Sequence, residues 1–212
     1  MDSNKKRISF IDASELTPAR LETLVDGVFA IAMTLLVLEI HVPQVNVGAS
    51  QAEFVTQLLK SSPSLLSYML SFIILGMFWV AHHLQFRYIK KISNTLIWIN
   101  ILYLMFVCML PFYAQLLGLF YERQLAVVLY GLHLIWLVLF HFWMWQHVKS
   151  RPHLQEEFSY GDLDKLVKRA TFLGVFAYVA AILISFISVR ASLVIYLITP
   201  LPYIFGWIYD LA

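Results

Sequence analysis

Ionisable side chains inside apolar runs are the residues of this sequence best placed to do chemistry. The first apolar run, from about Pro18 to Val42, begins with Arg20, Glu22 and Asp26. On a helix, Asp26 lies about 9 Å beyond Arg20, because each residue advances the axis by about 1.5 Å. A carboxylate at that depth in a membrane is costly, so it faces a protein interior or a water-filled path and has a partner. Asp26 is therefore a candidate functional residue.

The partner of Asp26 is expected at the end of the second apolar run, which reads Trp79-Val-Ala-His82-His83. If the two runs cross the membrane in opposite directions, this end lies at the level of Arg20 and Asp26. These five residues predict a polar network that holds the two helices together. Anchoring at the lipid headgroups is the alternative, because Arg, His and Trp all favour that region.

A metal site is not predicted from the two histidines. Adjacent helical side chains such as His82 and His83 point about 100° apart, and no third ligand follows at metal spacing. We expect no metal and no cofactor.

The elements that carry these residues are membrane helices. Hydrophobic residues make up 60% of the 212, charged residues only 13%, and the mean hydropathy is +0.75. A soluble domain has about 25% charged residues, and a span needs about 20 apolar residues. We predict an all-α integral membrane protein, one domain over 1–212, with six spans: Pro18–Val42, Pro63–Leu84, Thr95–Phe120, Leu125–His147, Leu166–Ile187 and Ser192–Tyr209.

The distribution of Lys and Arg predicts the topology. One side of the six spans collects twelve of these residues and the other side three, which are Lys60, Arg123 and Arg190. Positive charge stays on the cytoplasmic face, so both termini, the segment 1–16 and the loop 149–165 are expected in the cytosol. Because the basic residues are sorted by membrane side, the net charge of +2 does not indicate a nucleic-acid partner.

Four residues further along the first run share one helix face, because they lie at i, i+3, i+4 and i+7. They are Ile31, Thr34, Leu35 and Leu38. Taken alone, such a stripe is typical of packing against a neighbouring helix.

The start of the first run resembles the transmembrane protein 175 family of potassium channels, in particular its bacterial six-span members. That family carries Arg-x-x-x-Phe-Ser-Asp at the start of its first helix. Arg20 and Asp26 match with the right spacing, whereas Leu24 and Val25 stand at the Phe and Ser positions. The six-span layout and the Trp and His of the second span also agree with the family.

The resemblance implies a homotetramer in a bacterial inner membrane, whose first helices line a central pore for potassium and other monovalent cations. It implies apolar constrictions at Ile31 and Leu38, with Leu35 beside them and Thr34 supplying a ring of hydroxyls. Discrimination between potassium and sodium is expected to be modest, because these hydroxyls carry no charge. Arg20, Asp26 and the histidines would support the first helix without touching the ion.

Two other functions have to be weighed against the channel. A proton-coupled secondary transporter would use Asp26 and a histidine of the second span as groups that change protonation. An intramembrane enzyme needs a positioned nucleophile and base, and Cys108 has no histidine in register, so we predict no enzyme.

Glu39, near the outer end of the first run, is either a cation-attracting group at the pore mouth or an ordinary interfacial residue.

Overall fold

The protein folds as a bundle of apolar helices in a computed structural model that describes residues 17–40, 42–154 and 161–206. Within these residues, five helical stretches are long and apolar enough to cross a membrane, and a shorter one follows them. The helices are α1 (Pro18–Leu35), α2 (Gln51–Lys60), α3 (Ser62–Phe86), α4 (Asn94–Leu119), α5 (Gln124–Lys149), α6 (Gly161–Ser185), α7 (Val189–Ile198) and α8 (Leu201–Ile204).

The beginning of α1 follows from two residues. The Thr17 hydroxyl accepts a hydrogen bond from the Arg20 backbone N–H at 3.4 Å, and Pro18 occupies the first turn. A side-chain cap and a proline at this position are favourable because neither leaves a needed backbone donor unpaired. The start expected from the sequence is therefore confirmed.

The other end of the first span is tighter than an α-helix. After Leu35 the chain forms a 3₁₀ turn over Leu36–Glu39. With the larger rise of that turn, 18 α-helical and four 3₁₀ residues extend over about 35 Å, enough to cross the hydrocarbon layer. The helical part ends at Glu39 rather than at Val42.

The remaining long helices pack as neighbours in chain order. The helices α3, α4, α5 and α6 each contact the next, and α1 lies against α3 and α4. Two hydrogen bonds join neighbouring helices inside the bundle: the Ser67 hydroxyl donates to the Ala114 carbonyl at 2.6 Å, and the Ser71 and Tyr130 hydroxyls are 2.9 Å apart. Such bonds join helices in a medium that offers no water.

Gly131 allows a close approach between α5 and its neighbours. A Cβ at this position would collide with the Tyr196 hydroxyl and meet Ile182 at 2.9 Å. The Tyr196 hydroxyl instead lies over α5 and donates to the Val127 carbonyl at 2.9 Å. The glycine therefore makes room for the tyrosine that ties α7 to α5.

The sixth predicted span is the shortest. The helices α7 and α8 together cover Val189–Ile204, about 24 Å of helix. The helix is interrupted at Pro200, between them, because proline lacks the backbone N–H that would continue the helical hydrogen bonds. Residues 207–209 of the predicted span, like the segment 1–16, lie outside the described residues.

Two regions between spans differ from the predicted layout. The helix α2 precedes the second span, and none of its residues from Gln51 to Lys60 is buried. The helix α6 is described from Gly161 onward, so 161–165 of the predicted loop 149–165 are helical, while 155–160 is not among the described residues. Asp162 and Asp164 favour helix in this part of the loop, because carboxylates stabilise the first turns of a helix.

Candidate functional site at the first helix

The helix α1 has two faces of different character. Its buried face packs into the bundle, where the Phe29 and Tyr103 rings have centroids 6.1 Å apart. This face consists of Leu21, Val25, Phe29, Ala32 and, in the following turn, Leu36. The side away from the bundle is uncovered within the chain.

The uncovered side carries all four residues of the predicted stripe. Ile31 is 60% exposed, Leu35 42% and Leu38 70%, and Thr34 is exposed as well. The Thr34 hydroxyl donates to the Ile31 carbonyl at 2.8 Å. Because its only hydrogen is used inside the helix, the lone pairs of this oxygen remain available to a ligand on the uncovered side.

Asp26 also lies on the uncovered side and binds the second span. The Trp79 indole Nε1 donates to Asp26 Oδ1 at 2.8 Å, joining α1 to α3. The Trp79 ring stacks on His83, with 6.2 Å between the ring centroids. A carboxylate accepting an indole N–H is a charge-assisted hydrogen bond, which is stronger than a neutral one.

The two histidines of the second span have separate surroundings. His83 Nδ1 is 3.6 Å from Glu22 Oε1 at the start of α1. His82 is 1% exposed, and its Nε2 lies 2.9 Å from Asn100 Oδ1 of α4. The structure thus brings Asp26, Trp79, His83 and Glu22 together between α1 and α3, and directs His82 into the bundle.

Arg20 and Glu39, two of the predicted site residues, lie at opposite ends of the first span. Arg20 contributes its backbone N–H to the Thr17 cap and has an exposed side chain. Glu39 is half-buried in the 3₁₀ turn that ends the span. These two residues are separated by almost the full length of the helix.

Sequence reasoning missed a buried polar group inside the bundle. The His82 ring stacks against Tyr103, and the centroid of the His141 ring of α5 lies 6.5 Å from that of His82 and 5.9 Å from that of Tyr103. Asn100 and Gln85 are 0% and 1% exposed. A lone Asn or Gln within an apolar run was the available signal, since such residues seek hydrogen bonds between membrane helices.

The histidines of α5 do not act as one group. His133 stacks on Tyr113, with ring centroids 4.2 Å apart, whereas His147 Nε2 lies 3.0 Å from the Ser93 hydroxyl. The His141 ring faces a third residue, His82, with 6.5 Å between the ring centroids. The three histidines of α5 therefore lie in three separate environments.

These features define a polytopic α-helical membrane protein whose first helix exposes hydroxyls and a carboxylate on a face that its own chain leaves open. Comparison with known proteins assigns such an architecture to a family of channels. The model of the family "Endosomal/lysosomal potassium channel TMEM175" matches residues 20–111.

Similar proteins extend the match over most of the chain. A potassium channel from Chamaesiphon minutus is 35% identical over 178 residues, 82% of this chain and 86% of that one. A potassium channel from a Chryseobacterium species is 36% identical over 120 residues, and this shorter alignment covers 57% of this chain and 59% of the relative. The chain belongs to the TMEM175 family, which consists of channels and not of enzymes.

A solved structure agrees with this assignment. The crystal structure of a lysosomal potassium-selective channel TMEM175 homolog from Chamaesiphon minutus superimposes with a TM-score of 0.77 at 30% identity, covering 89% of this chain and 96% of the other. The resemblance seen in the sequence and the all-helical membrane fold are confirmed.

Proposed function

We propose that four copies of this chain form a potassium-favouring leak channel whose pore is lined by the uncovered side of α1. The observation that carries the proposal is the division of α1 into a face buried in its own bundle and an open face with Ile31, Thr34 and Leu38. The potassium channels among its relatives support the choice of ion.

The carboxylate of Asp26 supports an assembly of several chains. Asp26 lies on the open side of a membrane helix, with one described hydrogen bond, from Trp79. Lipid tails offer nothing to its remaining lone pairs, and ionisable groups in membranes face protein or water. Neighbouring copies around a central water-filled path meet that requirement.

The stripe supports alternating apolar and polar rings in such an assembly. Four copies of Ile31 and of Leu38 would form two apolar constrictions, which close a pore by excluding water when its radius is small. Four Thr34 oxygens between them, each with its hydrogen directed to the Ile31 carbonyl, would replace part of the hydration shell of a permeating cation. Uncharged hydroxyls would give a modest preference for potassium over sodium.

The contacts of α3 support a positioning role for the inner polar residues. The Asp26–Trp79 hydrogen bond and the Glu22–His83 pair both connect α1 to α3 near the same end. Holding α1 by two contacts at one end would fix the rotation of the stripe relative to the pore axis. Arg20 would remain at the cytosolic mouth, and Glu39 at the outer mouth.

The distribution of basic residues supports the orientation in the membrane. We propose a multi-pass protein of the bacterial inner membrane with cytosolic termini, because twelve of the 15 Lys and Arg residues fall on one side of the spans. On the other side lie Lys60, Arg123 and Arg190.

Ion flux into liposomes tests the proposal. Purified protein is reconstituted under potassium and sodium gradients, with and without a proton gradient, and compared with Thr34→Val. The variant keeps the shape of the side chain and removes the hydroxyl, so the potassium preference should fall. Thr56→Val is the matched control, because Thr56 on α2 makes the same type of bond, to the Ala52 carbonyl at 2.8 Å.

A second variant in the same flux assay tests the proposed apolar constriction. Ile31→Ala should raise flux, whereas Ile198→Ala, a similarly exposed isoleucine on α7, should leave it unchanged. Solubilised protein should have about four times the protein mass of the 24.6 kDa chain. Flux that requires a proton gradient, or that ignores both α1 variants, would refute the channel and favour the proton-coupled transporter.

A further inference from the structure

The short helix α2 is stabilised within its own chain mainly by contacts at its ends. The Ser50 hydroxyl accepts a hydrogen bond from the Glu53 backbone N–H at 3.2 Å. Glu53 in the first turn and Lys60 in the last suit the dipole of the helix. None of its 10 residues is buried, however, and isolated helices shorter than about 12–15 residues are marginal in water. A helix of this kind needs a surface to lie against.

The side chains of α2 are sorted onto two opposite sides. At about 100° per residue, four polar residues fall within about 100° of each other, and four large apolar residues within about 140° on the other side. The polar residues are Glu53, Thr56, Gln57 and Lys60, and the apolar residues are Phe54, Val55, Leu58 and Leu59. Phe and Leu opposite a charged side are typical of a helix that lies in the surface of a bilayer.

The apolar side of α2 is turned away from its own chain. Its four large apolar residues are 42–66% exposed. The least exposed residue of the helix is instead the polar Gln57, which is half-buried. A surface helix in water turns its apolar side toward the protein. The reverse arrangement in α2 agrees with apolar surroundings outside the chain.

The position of α2 brings this apolar side to a membrane surface. The span α3 has 25 residues, about 37 Å of helix, whereas the hydrocarbon layer is about 30 Å thick. The end of α3 that joins α2 through Ser61 therefore lies at the boundary of that layer.

The apolar side of α2 continues along the uncovered side of α3. Ser61 has helical dihedral angles, φ −82° and ψ −5°, so the rotation of the helix carries on through the junction. Leu65 and Met69 follow Leu58 at i+7 and i+11 and share its side, and all three are 47–50% exposed. On a span such side chains need no protein cover, because lipid tails are as apolar as leucine.

We propose that α2 lies in the surface of the lipid bilayer. Phe54, Leu58 and Leu59 enter between the lipid chains, and Glu53 and Lys60 stay in the water. These two charged side chains of α2 have opposite signs, so a zwitterionic lipid surface is sufficient.

A second copy of the chain is a less favourable cover for this side. The helix is about 15 Å long and about 10 Å wide. That is a small part of the roughly 800 Å² that each partner of a stable complex buries. A bilayer surface, in contrast, requires no minimum area.

Spin labels on single cysteines test this proposal with the full chain in phosphatidylcholine liposomes. Cys108 is exposed and is first replaced by Cys108→Ser, so that each variant carries one cysteine. Accessibility of the label to oxygen, which concentrates in the bilayer, is compared with accessibility to a nickel chelate, which stays in the water. The ratio of oxygen to nickel accessibility should be severalfold higher for Leu58→Cys and Leu59→Cys than for Glu53→Cys and Thr56→Cys.

Leu65→Cys is the matched reference for a side chain in lipid. Leu65 lies on the span α3 and is 47% exposed, compared with 50% for Leu58. The ratio of oxygen to nickel accessibility at Leu58→Cys should therefore approach that at Leu65→Cys.

Reaction with a water-soluble maleimide gives a second measurement without a spin label. Leu58→Cys should react severalfold more slowly than Thr56→Cys in liposomes, and the difference should disappear once the protein is unfolded in sodium dodecyl sulfate. Equal rates in liposomes would contradict the proposal.

The accessibilities separate lipid from the two other surroundings. High nickel accessibility at Leu58→Cys and Leu59→Cys would show that this side lies in water, and would overturn the proposal. Low accessibility to both reagents would show that protein covers it, as a second copy would, and would overturn it equally. The pore proposal is independent of these results, because ion flux tests it.

Discussion

The hydrogen bond between Trp79 and Asp26 should contribute measurably to stability. The indole Nε1 and carboxylate Oδ1 are 2.8 Å apart, and bonds to charged groups contribute about 1.5–3 kcal/mol. Trp79 is 40% exposed within one chain, so the lower end of that range applies. We expect Trp79→Phe, which keeps an aromatic ring and removes the donor, to lower the free energy of unfolding by about 1.5 kcal/mol.

A double-mutant cycle isolates the bond from the packing of the two side chains. The unfolding of Trp79→Phe, Asp26→Ala and the double variant is followed by circular dichroism in mixed micelles of increasing denaturing detergent. The double variant should be no less stable than the worse single variant, which gives a coupling of about 1.5 kcal/mol. Trp98→Phe is the control, because Trp98 is an exposed indole on α4.

A coupling below about 0.5 kcal/mol, which is the scatter expected of independent sites, would refute this reasoning. The bond between α1 and α3 would then contribute nothing to the fold. A large effect of Trp98→Phe would instead show that loss of any indole destabilises the protein in micelles.

Three further outcomes follow from other contacts. Leu38→Ala should raise potassium flux into liposomes severalfold, because it would widen the proposed outer apolar ring; unchanged flux would place the constriction elsewhere. Gly131→Ala should lower the free energy of unfolding by about 1–3 kcal/mol, since its methyl group displaces Tyr196; a stability equal to that of the parent would contradict the close approach. Asp164→Asn should cost about 1 kcal/mol, since its carboxylate lies 2.7 Å from Lys149 Nζ, and this loss should shrink at high salt.

The helices were predictable because lipid imposes a simple requirement on sequence. The spans Thr95–Phe120 and Leu125–His147 agree within two residues with α4 and α5, since every backbone group in the hydrocarbon layer must bond within its own helix. The predicted loop 149–165 was harder to assign, because contacts between helices act on it. Within it, Asp164 lies in helix α6 and binds Lys149 of α5 and Lys168 of its own helix.

The candidate site was predictable in part. That Asp26 needed a partner follows from the cost of a carboxylate in lipid, and the depth argument pointed to the end of the second span. Which side chain there becomes the partner depends on helix rotation. Trp79 faces α1, and His82, three residues later, points toward Asn100 on α4.

The sequence by itself determined that lipid is the main solvent and which stretches form apolar helices. It also determined the family motif at Arg20 and Asp26 and the shared face of Ile31 and Leu38. These depend on composition and on the 3.6-residue period, which act within one helix. Only the tertiary structure decided that this face is the open one, that Trp79 holds Asp26, and that His82 pairs with Asn100 inside the bundle. Those outcomes depend on how helices distant in the chain rotate and pack against each other, and close packing is decided by all the contacting side chains together.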